Sequence, residues 1–329
     1  MNHQLEIITL KNKKGTSCTL SNLGASLLSF KIKNKKGDWI DTIIGVKTKE
    51  GLLGKDYQAN NKRLGVTIGR CAGRISGGAF KIDGKEYKIH TKDGVHLHGG
   101  EIGFDKKYWK IENIHQDENP SVSFSYFSKH LEESYPGNLQ VNANYQLTEE
   151  DELIITYKAK TDQKTIINIT NHAYFNLNGK GNIKAHELLL NCPKYLELDG
   201  KKLPTGKILA VEKNINDFTE KTELVEGNFE ALDTVFVSDK ANNHKATLKS
   251  KKSGLEMKVY SNQPCMVVYT PPMLPDYNFS TEIDNSFYPA ICFEAEQYSD
   301  AVNQVYFPQA FLDVGEEYFH ETKFSLKTL

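Results

Sequence analysis

The sequence has few cysteines and none arranged as a disulfide framework or a zinc-thiolate motif. Its five cysteines, in a chain of 329 residues, are odd in number, widely scattered and free of CxxC pairs. This usage is typical of buried thiols in a reducing compartment, which favours a cytoplasmic location. The five are Cys18, Cys71, Cys192, Cys265 and Cys292.

Long apolar segments are also missing. No run approaches the roughly 20 apolar residues that span a bilayer. The start of the chain, MNHQLEIITLKNKKG, has no apolar stretch of signal-peptide length behind a basic segment. We therefore expect neither a secretory leader nor a membrane partner.

Excess charge of one sign is absent as well. The 41 basic and 42 acidic residues leave a net charge of −1, so no electrostatic argument for a nucleic-acid partner or an anionic membrane follows. The hydrophobic content of 39% and the charged content of 25% are ordinary for a globular protein with a substantial core.

Helical periodicity is scarce, and only residues 49–62 suggest a turn or two of helix. Short runs of β-type composition, such as SVSFSYF, ELIITYKAK and MVVYT, alternate instead with turn signals such as NKKG, IDGKEY and LDGKKL. This pattern is typical of an all-β sandwich or barrel. We predict a single, large antiparallel β-domain over residues 1–329.

The segment NITNHAYFNLNG, residues 168–179, alternates between polar and apolar side chains. Side chains in a strand point alternately to opposite faces, so one face would contact the core. The other face would present His172 among hydrogen-bonding groups.

The segment AICFEAEQYSDAVN, residues 290–303, shows the same alternation. Ile291, Phe293 and Ala295 would form the core face, and the opposite face would carry Cys292, Glu294, Glu296 and Tyr298. Glu294 therefore becomes a candidate partner for His172, although a single glutamate on such a face is usually solvated.

Two glycine-rich segments carry further candidates. In GRCAGRISGGAF, Arg70 and Arg74 lie among small residues, and each could reach a ligand or form a structural ion pair. In GVHLHGG, His96 and His98 have strand spacing and would share a face if the segment is extended. Two histidines at this spacing are also a weak metal-ligand pattern.

One further carboxylate, Asp233 in ALDTVFV, precedes an apolar strand, where a turn residue is the ordinary interpretation. Taken together, the histidines, arginines and carboxylates are the minimum set for general acid–base catalysis. Their spacing alone does not identify a substrate.

As a set, these segments resemble the aldose 1-epimerase (galactose mutarotase) family. The matching pieces follow the family order: GRCAGRI, LHGG with GFDKKYW, YPGNL, TNHAYFNLNG, DTVF, and FEAEQYSDAVNQ with GEEY. They extend from about residue 65 to the C-terminus, and SNLGASLLSFKI resembles the family's N-terminal strand pair.

The resemblance implies a β-sandwich of the galactose mutarotase type, with a sugar-binding cleft on a concave sheet. It implies an isomerase that interconverts the α and β anomers of an aldohexose such as glucose or galactose, with no cofactor and no metal. By motif, His172 matches the general acid and Glu294 the general base. Arg74, His98 and Asp233 match substrate-binding residues, His98 near the ring oxygen.

The sequence also departs from the family pattern. Gly73 stands where the family usually has Asn, and Val267 stands where many members have a Gln that contacts the sugar. After Glu294 the chain reads AEQYSDA, where the family often has Thr, Gln and Pro. The catalytic pair is present, but the set of residues that contact the sugar hydroxyls is not intact.

Four alternatives remain open. An epimerase of the same fold could act on another sugar or a hexose 6-phosphate, with lysines at 106–107 or 201–202 meeting the phosphate. The chain could be a carbohydrate-binding protein without turnover. Asp233 and Glu294 could serve a glycosidase. Finally, His96, His98, His172 and Glu294 could bind a metal.

Overall fold

Antiparallel strands make up most of the protein in the computed structural model, which describes residues 4–60, 62–239 and 243–329. The two largest sheets have nine and six strands. The predicted all-β class is therefore confirmed, and the described cysteines are all buried and free.

The strands of the described residues are, in chain order, β1 (Ile7–Lys11), β2 (Ser17–Ser21), β3 (Ser26–Lys33), β4 (Trp39–Asp41), β5 (Thr67–Ile68), β6 (Arg74–Ile75), β7 (Ala79–Ile82), β8 (Lys85–Lys88), β9 (His96–Leu97), β10 (Lys110–His115), β11 (Ser121–Ser128), β12 (Leu139–Leu147), β13 (Glu152–Thr161), β14 (Thr165–Ile166), β15 (Thr170–Asn171), β16 (Tyr174–Phe175), β17 (His186–Leu190), β18 (Lys194–Leu198), β19 (Pro204–Ala210), β20 (Thr222–Glu223), β21 (Asp233–Val237), β22 (His244–Ser250), β23 (Leu255–Ser261), β24 (Cys265–Tyr269), β25 (Ile291–Glu296), β26 (Phe311–Leu312) and β27 (Tyr318–Thr328).

Helix is confined to short segments. Two α-helices, α1 (Lys49–Leu53) and α2 (Lys55–Asn60), lie where the sequence predicts a turn or two. The described 3₁₀ turns are Phe104–Lys106, Glu132–Ser134 and Ala301–Asn303. Among the described residues, no helix has the length and apolar character that crossing a membrane requires.

The nine-stranded sheet has the order β10-β11-β12-β13-β27-β23-β22-β17-β20. Its central strands alternate between buried and solvent-facing residues. In β12, for example, Val141 and Tyr145 are buried while Gln140 and Asn142 are exposed. One face of this sheet therefore contacts the core and the other contacts water.

The six-stranded sheet has the order β16-β25-β24-β21-β18-β19. Its strand β25 is buried on both faces. Ile291 and Phe293 join a core cluster that also contains Val141 and Ile155 of the nine-stranded sheet, so the two sheets pack as a sandwich around that cluster. The opposite face of β25 carries Glu294 and Glu296 and is covered by loops.

The histidine segment differs from its prediction in one respect. Residues 168–179 form two short strands, β15 and β16, with His172 and Ala173 between them, and not one continuous strand. The predicted alternation still holds, since Ile169 and Phe175 join the core cluster while His172 and Tyr174 face a cavity.

Candidate active site

A cavity of about 250 Å³ lies on the outer face of the six-stranded sheet. Side chains of three adjacent strands, β21, β24 and β25, form its floor, and segments that precede β5, β6, β10, β16 and β19 supply its walls. The floor residues are Asp233, Val235, Val267, Tyr269, Glu294 and Glu296. Antiparallel register sets this arrangement, because Val267 pairs with both Val235 and Glu294.

Glu294 is placed in the cavity by the alternation of β25. Its neighbours Phe293 and Ala295 are held in the core, so its carboxyl group must point to the opposite face. Glu294 is 2% exposed, and its Oε2 has no hydrogen-bond partner. Burial raises the pKa of Glu294 well above the ordinary carboxyl range, and the nearby Glu296 raises it further.

His172 faces Glu294 across the cavity. Its Nε2 lies 3.6 Å from Glu294 Oε1, and its Nδ1 is buried without a partner. The ring stacks on Tyr174 with a centroid distance of 5.0 Å and an interplanar angle of 11°. Burial lowers the pKa of His172 to about 3, and the positive charge of Arg63 acts in the same direction.

His98 lies beside His172, with ring centroids 5.6 Å apart. Its backbone has φ of +52°, a left-handed conformation that few residues other than glycine adopt. The Gly73 N–H donates to His98 Nδ1 at 3.3 Å, and the His98 N–H donates to the Gly73 carbonyl at 2.9 Å. Because Nδ1 accepts, the neutral ring carries its proton on Nε2.

The environment of His98 keeps that ring neutral. Burial lowers its pKa well below the usual value, and the positive charge of Arg63 and the neighbouring His172 lower it further. Since Nδ1 is engaged by Gly73, the ring offers Nε2–H as its free donor. His98 is therefore built to donate a hydrogen bond without changing its charge.

His96 and His98 do not share a face, because the backbone at His98 is not extended as that prediction required. His96 Nε2 lies 2.6 Å from the Tyr135 hydroxyl, and its Nδ1 lies 2.7 Å from the His90 carbonyl oxygen. The positive φ of His98 turns its side chain away from the direction that it would have in an extended strand. His96 is thus a buried, fully bonded residue outside the cavity.

Arg74 and Asp233 meet at the side of the cavity. Arg74 donates from a terminal nitrogen to Asp233 Oδ2 at 3.3 Å, and both side chains are about a quarter exposed. The pair presents donors and carboxylate oxygens to the same space, an arrangement suited to a ligand with several hydroxyl groups.

Arg70, the other arginine of that segment, is a structural residue. It is 2% exposed and donates to the backbone carbonyl oxygens of Pro136, Gly137 and Ser128 at 2.8–3.1 Å. These bonds hold the 128–137 loop, and Arg70 does not contribute to the cavity wall.

Several cavity residues were not singled out as candidates from the sequence. Arg63 lies in a short loop without a recognisable motif, and Tyr269 is an ordinary strand residue. Only tertiary pairing reveals Tyr269, because its partner across the ladder is Asp233. Of the lysines considered, Lys202 lines the cavity, whereas Lys107 pairs with Glu132 at 2.8 Å.

Ligand atoms of His98, His172 and Glu294 all lie within 4.8 Å of one another, so these three residues could hold a metal ion. His96, the fourth residue considered for such a site, lies elsewhere, bonded to Tyr135. The same three residues are also suited to proton transfer, since they include a carboxyl group and two imidazoles.

A cavity on a β-sheet that holds a buried imidazole–carboxyl pair beside an arginine–aspartate pair defines a class of protein. It is that of an enzyme that moves protons on a small, hydroxyl-rich ligand.

Comparison with known proteins identifies the family within this class. The aldose 1-epimerase family model matches residues 6–325. The chain is 35% identical to the galactose mutarotase of Bos taurus over 313 residues, covering 92% of this chain and 88% of that protein. It is 30% identical to the aldose 1-epimerase of Escherichia coli strain K12, covering 97% and 94%.

Solved structures agree. An aldose epimerase homologue from C. elegans superposes with a TM-score of 0.89 at 27% identity, covering 99% of this chain and 100% of that one. A galactose 1-epimerase from Lactobacillus acidophilus NCFM superposes with a TM-score of 0.83 at 25% identity, with 99% of each chain covered.

The protein belongs to the aldose 1-epimerase family. This membership confirms the predicted sandwich of the galactose mutarotase type and the predicted enzyme class, an isomerase.

Proposed function

We propose that the protein interconverts the α and β anomers of a free aldohexose such as glucose or galactose, with His172 as general acid and Glu294 as general base. The observation that carries this assignment is the buried pair itself. His172 Nε2 and Glu294 Oε1 are 3.6 Å apart, and each side chain has a second polar atom without a protein partner. Buried groups of this kind are costly unless a ligand bonds to them.

Ring opening needs two proton transfers. Glu294 as carboxylate takes the proton of the C1 hydroxyl, and His172 as imidazolium gives a proton to the ring oxygen while the bond from C1 to that oxygen breaks. The free aldehyde then rotates about C1–C2 by a half-turn and closes on its other face, with the two groups exchanging roles. Each positioned group typically contributes about 10²–10⁴-fold to the rate.

The pair shares one proton in the ligand-free cleft. Burial favours the uncharged form of both groups, so the pKa shifts place that proton on Glu294 and leave His172 neutral. The reactive form, carboxylate with imidazolium, differs only by transfer of that proton. A sugar hydroxyl that donates to Glu294 stabilises the carboxylate and favours the transfer.

The remaining residues hold the sugar. His98 donates from Nε2 to the ring oxygen region, and Arg74 with Asp233 binds hydroxyl groups on the far side of the ring. Tyr174 and Tyr269 supply aromatic surface next to His172, with ring centroids 5.0 and 6.2 Å from its imidazole. Such contacts keep most of the sugar fixed while C1 turns.

Polarimetry tests the proposal. Freshly dissolved α-D-glucose or α-D-galactose should approach its final rotation faster in the presence of catalytic amounts of protein. Glu294→Gln should abolish the acceleration, and Glu321→Gln, an exposed glutamate on a strand of the other sheet, should not. A wild-type protein that binds these sugars without acceleration would be a binding protein.

Two further arms separate the alternatives. Acceleration restricted to hexose 6-phosphates would assign a phosphosugar, with Lys62 and Lys202 of the cavity wall as partners for the phosphate. Activity lost on treatment with a chelator and restored by a divalent cation would assign the three-residue site of His98, His172 and Glu294 to a metal. Release of monosaccharides from a disaccharide would indicate a glycosidase.

A further inference from the structure

Val267 lies on the cavity floor between two of the groups assigned to hold the sugar. Glu294 is on β25 and Asp233 is on β21, the two strands that flank β24. Val267 pairs with Glu294, and Tyr269, two residues further along β24, pairs with Asp233. Glu294 and Asp233 are therefore diagonal corners of one patch of sheet, two strands apart and displaced by two residues.

The separation of these corners suits a single aldohexose. Neighbouring strands are about 4.8 Å apart and two residues of a strand extend for about 6.8 Å, so the diagonal between the two backbones is about 12 Å. A hexose ring with a hydroxyl at either end, and a hydrogen bond of about 2.8 Å beyond each hydroxyl, spans a similar distance. A sugar bonded to both carboxylates therefore crosses β24.

Two side chains of β24 face this crossing. The ring of Tyr269 leans across β25, since its centroid lies 6.2 Å from that of His172 and 6.4 Å from that of Tyr174. Val267 is partly buried and faces the cavity beside Val235, its partner on the neighbouring strand. The middle of the floor is thus aliphatic.

This aliphatic part of the floor offers a ligand no hydrogen bond. The side chains of Val235 and Val267 have no polar atom, and the backbone of β24 is paired along both edges, with β21 and with β25. A hydroxyl directed at Val267 would lose water and gain no partner, whereas a C–H group would gain apolar contact. The sugar should therefore turn a face of C–H groups towards β24.

The position of Glu294 determines which face of the ring this is. In the chair form of D-glucose the C1 hydroxyl is axial in the α anomer and close to the ring plane in the β anomer. A carboxylate on the floor reaches this hydroxyl in both anomers only if the axial position points to the floor. The ring therefore lies with its α face on Val267, and on that face glucose and galactose carry axial hydrogens at C3 and C5.

We propose that Val267 selects the configuration at C3, so that the site takes aldohexoses with an axial hydrogen there and discriminates against their C3 epimers, D-allose and D-gulose. In these epimers the C3 hydroxyl is axial on the α face and points at the valine. The assignment rests on the proposed function, because it uses the contacts of the sugar with Glu294 and Asp233.

The first experiment needs only the wild-type protein. Rates of anomer exchange are measured by NMR, with the uncatalysed rate subtracted, for D-glucose against D-allose and for D-galactose against D-gulose. We expect kcat/KM to be about tenfold lower for each C3 epimer, because its axial hydroxyl is buried without a partner.

The second experiment uses Val267→Thr, which keeps the shape of the side chain and adds a hydroxyl that can bond to an axial C3 hydroxyl. The ratio of kcat/KM for D-allose to that for D-glucose should rise about fivefold. The corresponding ratio for D-mannose, whose axial C2 hydroxyl lies on the opposite face, should not change. Val305→Thr, an 88% exposed valine outside the cavity, is the matched control and should alter neither ratio.

Circular dichroism and the unfolding midpoint establish that each variant is folded. If Val267→Thr does not fold, Val267→Ala replaces it. This variant makes room for a water molecule beside the axial hydroxyl and should raise the same ratio.

The outcomes distinguish the two proposals. Use of D-allose and D-gulose as efficiently as their parent sugars, or an unchanged D-allose ratio in the Val267 variant, would overturn the role of Val267 and leave the epimerase assignment standing. An equal rise for D-mannose would overturn the assigned face of the ring, and the selection at C3 with it. Acceleration of none of the sugars would overturn the proposed function itself.

Discussion

The two large sheets of this protein both contain buried histidines, and the comparison between them separates structure from chemistry. In the nine-stranded sheet, His320 Nδ1 lies 2.7 Å from the Ile169 carbonyl oxygen and its Nε2 lies 2.8 Å from Thr322 Oγ1. Against the six-stranded sheet, His172 has a partnerless Nδ1 and a carboxyl group at 3.6 Å.

The pKa does not distinguish these two histidines. Burial lowers the pKa of His320 to about 4 and that of His172 to about 3. What differs is the hydrogen bonding, because the protein satisfies both nitrogens of His320 and leaves those of His172 to a ligand. For these two histidines the missing protein partners, and not the lowered pKa, distinguish the reactive site. A missing partner alone is not sufficient, because both ring nitrogens of the buried His186 in the nine-stranded sheet also have none.

The largest effect on activity is expected when either residue of the reactive pair, His172 or Glu294, is replaced. We expect Glu294→Gln and His172→Asn each to lower kcat by about 10²–10⁴-fold. Unfolding free energies should change little, because neither side chain makes a short hydrogen bond that folding depends on. Polarimetry and urea unfolding measure the two quantities, and near-wild-type turnover in either variant would reject its catalytic role.

For His320 in the nine-stranded sheet we expect the opposite result, a loss of stability without a loss of turnover. His320→Ala removes a buried partner from the Ile169 carbonyl and from the Thr322 hydroxyl, which keeps its bond to Ser261 Oγ at 3.1 Å, and we expect a cost of about 1–3 kcal/mol in all. The urea midpoint should fall accordingly. Turnover per folded molecule, measured well below that midpoint, should remain close to wild type, and a large loss of kcat would show that His320 also shapes the cavity.

His96 and His98 repeat the comparison within three residues of sequence. His98→Ala removes the Nε2–H donor of the cavity and should lower kcat/KM by about 10- to 100-fold. His96→Ala should instead reduce stability by about 1–3 kcal/mol, because the buried Tyr135 hydroxyl loses its partner. Equal losses of activity in both would show that His96, although outside the cavity, also sets the position of His98.

The pH dependence of kcat/KM shows which residue of the reactive pair has the lower pKa. With ordinary pKa values the carboxyl would limit the rate below about pH 4.3 and the imidazole above about pH 6.5. Here the order is reversed, since the pKa of His172 is lowered to about 3 and that of Glu294 is raised. Between these two limits the fraction in the reactive form is small but constant.

We therefore expect kcat/KM to be flat from about pH 4 upward through the ordinary carboxyl range, with the acid limb assigned to His172 and the alkaline limb, at higher pH, to Glu294. A tenfold decrease for each unit below pH 5 would contradict the reversed order. Circular dichroism at every pH separates titration of the site from acid unfolding of the protein.

Much of the fold and part of the site could be predicted from local pattern. Alternation of apolar residues along 290–296 places Phe293 in the core and Glu294 opposite, and the structure agrees. The same rule fails at 96–98, because the left-handed backbone of His98 depends on its two hydrogen bonds to Gly73, a residue 25 positions away.

The sequence by itself determined the class of fold, the sheet faces and the candidate pair His172 and Glu294, because side-chain alternation is a local property of the chain. Tertiary structure alone decided that Glu294 meets His172, that Arg74 meets Asp233, and that Glu296 is enclosed with one oxygen unbonded. The physical reason is that burial and pairing depend on which distant segments cover a face. That information is not contained in the spacing of residues along a single strand.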